Sequence, residues 1–172
     1  MTEATEATEG FADFSLADIA GFDIGEVEEF RTSRLPQGLY TFEVKEAGLE
    51  QRDDDDGDIK SINPSFTLEV LECKALIGKT DATKESLIGK KHTERTRIPN
   101  PNVDMEGAQK GLGRTRALLA DMGGKSEGPL GGDGQTIGCI DESIGLVFDA
   151  KIVHSRNAQD PSNPFVNLRF NK

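Results

Sequence analysis

Two triplets, Gly78-Lys79-Thr80 and Gly124-Lys125-Ser126, carry the lysine and hydroxyl that a phosphate-cradling loop uses on a nucleotide. Such a loop also needs a glycine five residues ahead of the triplet, and those positions hold Cys73 and Leu119, so nucleotide hydrolysis is not expected. Gly124-Lys125-Ser126-Glu127-Gly128 has the spacing of a serine-hydrolase nucleophile elbow. An elbow turns from a strand into a helix, whereas here a helical pattern precedes and a Gly/Pro loop follows, which argues against a reactive Ser126. The run Asp53-Asp54-Asp55-Asp56-Gly57-Asp58 resembles a calcium loop. With Gly57 at the sixth position, Asp54 and Asp56 fall correctly, but Arg52 stands first and Asn63 twelfth, where a bidentate glutamate is required. The run reads as a solvated hairpin tip. His92, His154, Cys73 and Cys139 have no metal-ligand spacing, and two cysteines 66 positions apart read as reduced thiols. No cofactor and no catalytic constellation are expected.

What remains is a basic set. Lys90, Lys91, Arg95 and Arg97 lie close together, Arg114 and Arg116 follow on a helical pattern, and Lys45, Lys60 and Arg169 lie on strand patterns. Residues 74–116 hold ten Lys or Arg against five acids, although the chain carries a net charge of −11. The acidity belongs to one end: residues 1–30 contain nine carboxylates and no Lys or Arg. Cationic groups beside an outward aromatic are what single-stranded nucleic acid uses, because phosphates need counter-charge and every base offers a face for stacking. Phe165, alternating with Asn167 and Arg169, is the first candidate aromatic, and Tyr40 the second. The bland alternative is an ordinary surface on which such cations alternate with acids such as Glu94 and Asp104.

Nineteen glycines, seven prolines, no Trp and a single Tyr suit short elements with many turns, and no apolar run is long enough to span a membrane. Two regions are expected: an acidic, partly disordered N-terminal arm over residues 1–30, and one domain over residues 31–172. The arm opens on Thr-Glu-Ala repeats unlike a signal peptide, then interleaves acids with Phe11, Phe14, Phe22 and Phe30, a composition suited to partner binding. In the domain, Tyr40, Phe42 and Val44 alternate with polar residues as a first strand, and Phe66, Leu68 and Val70 share one face of a second over residues 59–72. A third is expected over residues 90–98, with Arg95 and Arg97 on one side. A helix follows over residues 104–122, weakened by Gly107, Gly111 and Gly113 and ended by Gly123-Gly124. Strands over residues 144–154 and 165–170 complete the chain. Three strands, a helix and two strands is the element order of an oligonucleotide/oligosaccharide-binding (OB) barrel. The expected class is therefore mainly β (α+β), a five-stranded OB-like barrel with one helix between strands three and four.

Leu35-Pro36-Gln37-Gly38-Leu39-Tyr40 entering a strand, Leu87-Ile88-Gly89-Lys90 opening the third, Asn100-Pro101 before the helix, Ile144-Gly145, and Pro164-Phe165-Val166-Asn167 carry a resemblance. Over residues 35–170 the chain resembles small phage proteins of the DNA replication and recombination neighbourhood, taken to be OB-fold single-stranded-DNA-binding proteins. The resemblance implies a non-catalytic, sequence-tolerant binder of single-stranded DNA in the cytoplasm of a bacterial host, with replication or recombination proteins as possible partners of residues 1–30. Many single-strand binders end in an acidic tail; this chain ends Arg169-Phe170-Asn171-Lys172, and its acidic, Phe-bearing segment stands at the front. Two rival readings are a virion or assembly component, and a host-directed inhibitor whose acidic segments mimic DNA charge.

Overall fold

The computed structural model describes residues 34–132 and 137–170. The expected arm, with Phe11, Phe14, Phe22 and Phe30, lies outside the described residues. Two long strands form the frame: β1 (Gly38–Asp53) and β2 (Ile59–Leu76) pair antiparallel along their whole length. The acidic run makes the turn between them. There the Asp54 carboxylate accepts the N–H groups of Asp56 and Asp58 at 3.0 and 2.9 Å, while Gly57 takes a left-handed φ of 86°.

After a single 3-10 turn, Glu85–Leu87, β3 (Lys91–Arg95) pairs with residues 65–69 of β2. The third strand expected over residues 90–98 is interrupted. Thr96 and Arg97 leave the ladder, and a two-residue strand, β4 (Ile98–Pro99), pairs further along β2 with Ser61 and Ile62. Helix α1 (Met105–Asp121) follows, then a four-residue helix α2 (Cys139–Glu142), and strands β5 (Val147–Ser155) and β6 (Phe165–Arg169). Asp104 caps α1 by accepting the Gly107 N–H at 2.8 Å.

All pairings are antiparallel, and the strand order is β3-β2-β1-β5-β6, with β4 also on β2. A barrel would need β3 paired with β6. They lie at opposite ends of the order and share no ladder, so the expected closed five-stranded OB-like barrel is wrong: this is an open six-stranded sheet with a helix packed against it.

The alternation read from the sequence does set the faces. Tyr40, Phe42 and Val44 of β1, Phe66, Leu68 and Val70 of β2, and Phe148, Ala150 and Ile152 of β5 line one face and are buried. Leu35, Leu87, Leu119, Met122, Cys139 and Ile140 cover it. Each large side chain here contributes about 1.5–3 kcal/mol by leaving water. Along α1 the buried residues Ala108, Gly111, Thr115 and Leu119 recur at spacings of three and four, the stripe that seats the helix. Gly111 sits so close to the sheet that a Cβ there would lie 2.3 Å from the Arg97 carbonyl oxygen and 2.9 Å from Ile98 Cα. The glycines that weaken α1 by propensity thus include one that permits its contact with β4.

Candidate nucleic-acid interface

Because β3 and β6 do not meet, a cleft of about 930 Å³ opens between them, with α1 as its third wall. Five arginines line it from five places in the chain: Arg52 near the end of β1, Arg95 at the end of β3, Arg97 in the β3–β4 link, Arg114 on α1 and Arg169 at the end of β6. Against them stand two carboxylates, Glu94 and Asp121. Glu94 is already engaged, 3.2 Å from His92 Nε2. Apolar surface is supplied by Ala117, Leu118, Leu168 and Phe170. The Phe170 ring is anchored on the core, its centroid 5.5 Å from that of Phe148, and leaves part of its surface to the cleft.

Arg95 lies 3.4 Å from the Glu50 carboxylate. Among the described residues no carboxylate lies within 4.0 Å of the Arg52, Arg97, Arg114 or Arg169 guanidinium. Guanidinium groups suit this setting, since each fork matches a phosphate and each plane can stack on a base.

The other members of the expected basic set are placed elsewhere. On β3, Lys91 and Thr93 lie on the sheet's outer face with Glu69 and Thr67 of β2, and Arg95, opposite Ser65 at the strand's end, stands on both that surface and the wall of the cleft. Lys45 emerges on the same side where the β1–β2 register slips, 2.7 Å from Glu43 and 3.9 Å from Glu69. Lys45 and Lys91 therefore belong to a mixed outer surface. Lys90 is half-buried beside the 3-10 turn, and its backbone carbonyl accepts the Val70 N–H at 2.9 Å. Lys60 lines a neighbouring hollow with Asn100, Asn102 and Asp104, and Arg97 stands on both its wall and the cleft's. Arg116 points to the far side of α1, 3.4 Å from Glu127, in a separate hollow with Leu112 and Leu130. Of the basic set, the cleft gathers Arg95, Arg97, Arg114 and Arg169.

The two candidate aromatics fare differently. Tyr40 cannot stack on a base: it is wholly buried, its hydroxyl donates to the Pro36 carbonyl at 2.7 Å, and its ring packs 5.6 Å from Phe42. Burial, and then the neighbouring Cys73, push its phenol well above the usual range. Phe165 is outward, as its alternation with Val166 implies, and 56% exposed. It stands at the other end of β6 from Arg169, roughly 13 Å away at 3.3 Å per residue. Phe170 takes its place in the cleft.

Arg52, Asn63, Thr96 and Phe170 are cleft residues that the sequence reading passes over. Arg52 is obscured by the acidic run beside it, and Asn63 by the strand pattern, in which a buried amide looks like a flaw. Arg97 and Arg95 do end together, but through a break in the strand rather than through a shared strand face.

No protein-family model matches the chain, and no curated protein matches it. The expected membership among phage OB-fold single-strand binders fails against the open sheet and the lack of any family match, and the phage replication setting falls with it. Among the described residues, no three His, Cys, Asp or Glu side chains converge as metal ligands, and no helix is long and apolar enough to cross a membrane.

Proposed function

We propose that the seam between β3 and β6 binds single-stranded nucleic acid without catalysis. The observation that carries the reading is the convergence of Arg52, Arg95, Arg97, Arg114 and Arg169 on one cleft with apolar walls in a chain of net charge −11. In such a surplus of carboxylates, five arginines against Glu94, Asp121 and the Glu50 paired with Arg95 leave a local excess of positive charge, opposite in sign to the whole molecule. Phosphates would bridge the guanidinium groups, while bases would lie against Phe170, Leu168 and Leu118. A duplex keeps its base faces stacked inside and can offer this cleft only its backbone, which favours single strands.

The test is fluorescence anisotropy of a labelled single-stranded oligonucleotide with unlabelled duplex as competitor, on the wild-type chain, on a triple Arg97→Ala, Arg114→Ala, Arg169→Ala variant, and on Arg116→Ala. The expected result is binding that duplex displaces poorly, that the triple variant loses by at least a hundredfold, and that Arg116→Ala leaves within twofold. Absence of binding at low salt, or equal binding by the triple variant, refutes the reading.

A further inference from the structure

Asn63 and Thr96, the two uncharged polar side chains of the cleft, are each tied to the fold by hydrogen bonds. Asn63 is nine-tenths buried, and its Oδ1 accepts the hydroxyl proton of Ser61, itself buried, at 3.2 Å. Among the described residues the Asn63 Nδ2 group has no acceptor and no fully enclosed side-chain nitrogen or oxygen lacks a partner, and Asn63 lines the cleft, where Nδ2 is the atom it has to offer. It is presented there as a donor. Thr115, on the buried side of α1, donates its hydroxyl proton to the Gly111 carbonyl at 3.0 Å and sits 2.7 Å from Thr96 Oγ1. Thr115 has no second proton, so Thr96 donates to Thr115 and presents only a lone pair to the cleft. Backbone holds both in place: the Thr96 N–H donates to the carbonyl of Pro64, the residue after Asn63, at 3.0 Å.

A buried donor and an adjacent acceptor of set polarity make a reading head, and the surrounding guanidinium groups add only further donors. We propose that this pair gives the cleft a base preference for a ring carbonyl beside a ring N–H, as thymine, uracil and guanine present, over the exocyclic amino group of cytosine or adenine. The inference rests on the cleft being a single-strand site and replaces sequence tolerance with selectivity. An amino group turned toward Asn63 Nδ2 meets donor with donor and leaves both unpaired, which is where hydrogen-bonding sites discriminate most strongly.

Oligo-dU and oligo-dC of equal length test it, since they share ring size and phosphate count and differ only on the edge to be read. Wild-type protein should bind oligo-dU about five- to tenfold more tightly, the worth of one hydrogen bond. Asn63→Asp retains the acceptor for Ser61 but turns the cleft-facing donor into an acceptor. It should weaken both strands through its charge and bring the dU:dC ratio to one or below. Thr96→Val leaves Thr115 its bond to Gly111 and should shrink the ratio without added charge. Equal binding of the two strands by wild type, or a ratio unchanged in both variants, overturns base reading alone. Failure of wild type to bind either strand overturns the single-strand reading and this inference with it.

Discussion

Replacing Gly111 and Gly113 of α1 by alanine, one at a time, should change stability in opposite directions. Both lie inside the helix, where alanine is favoured over glycine by about 1 kcal/mol. Gly113 is exposed, and a Cβ there meets nothing within 4 Å, so Gly113→Ala should realise that gain. At Gly111 the added carbon would sit 2.3 Å from the Arg97 carbonyl oxygen, against an ordinary contact of 3.4 Å or more. The obstacle is strand backbone and cannot rotate away, so α1 must retreat by roughly 1 Å. Overpacking of that kind costs about 1–3 kcal/mol, and near its upper end it leaves a net loss of about 2 kcal/mol after the propensity gain. At about 3–4 °C per kcal/mol for a domain of this size, Tm should rise by about 3 °C in Gly113→Ala and fall by about 7 °C in Gly111→Ala. Thermal unfolding followed by circular dichroism, with urea midpoints as a second measure, reads both. A Gly111→Ala protein as stable as Gly113→Ala would show that α1 does not rest on β4, and the third wall of the cleft would be misplaced.

Four further outcomes are expected. If Arg52, Arg97, Arg114 and Arg169 each neutralise one phosphate, the logarithm of affinity should fall with log salt at a slope of about 2.8, roughly a fiftyfold loss between 50 and 200 mM. Arg97→Ala should lower the slope to about 2.1, and an unchanged slope would remove Arg97 from the contact. Phe170→Leu keeps apolar packing on Phe148 but loses the stacking plane and should weaken binding about tenfold, as one base stack is worth about 1–3 kcal/mol. Phe165→Ala should bind as wild type, and the reverse order would move the site to the outer face of β6. The hydrogen bond from Lys74, with a second from the Thr41 hydroxyl at 2.7 Å, holds the Asp149 carboxyl below the usual carboxylate range. A depressed folded value stabilises the fold above the unfolded value of about 3.9 and loses that contribution as pH falls through the folded value. Asp149→Asn should therefore flatten the acid limb of stability below about pH 4, and an unaltered limb in urea titrations would contradict the pairing. Cys73 and Cys139 are buried, and burial also pushes the Cys73 thiol up, so an aromatic disulfide reagent should label neither in the native protein and both in denaturant.

The strand faces could be read from the chain because alternation is a local signal: Phe66, Leu68 and Val70 point inward for the same reason at every step of β2. The helix ends were readable too, since Asp104 and Gly123 act within one turn. What alternation could not give was whether the sheet closes. A five-strand, one-helix order is shared by barrels and open sheets, and the difference rests on whether β3 pairs with β6, some seventy positions further on. Nor does a pattern of charges say which ones are already neutralised. Lys45 and Lys91 look as available as Arg97 in the sequence, and only the β1–β2–β3 register sets them among Glu43 and Glu69.

The break at Thr96 and Arg97 links the open sheet to its cleft. Had β3 run on as one strand through residue 98, Arg97 would have faced outward with Arg95. Instead the Thr96 N–H makes the last backbone bond of the β2–β3 ladder, to the Pro64 carbonyl, and the Thr96 hydroxyl is held by Thr115 on α1. Gly111, one turn before Thr115, lets the helix reach the Arg97 carbonyl closely enough for that bond to form. The strand is thus drawn out of the ladder toward the helix at the point where a barrel would have continued it, and the side chains of Thr96 and Arg97 are left facing the gap together with those of Arg114 and Arg169. On this reasoning the seam is held by a small polar contact between strand and helix rather than by missing strand length. Thr115→Val should loosen Thr96 while leaving α1 packed, lowering oligonucleotide affinity more than it lowers Tm. A Thr115→Val protein that binds as wild type while losing several degrees of stability would place the Thr96–Thr115 bond in the core's service and not the cleft's.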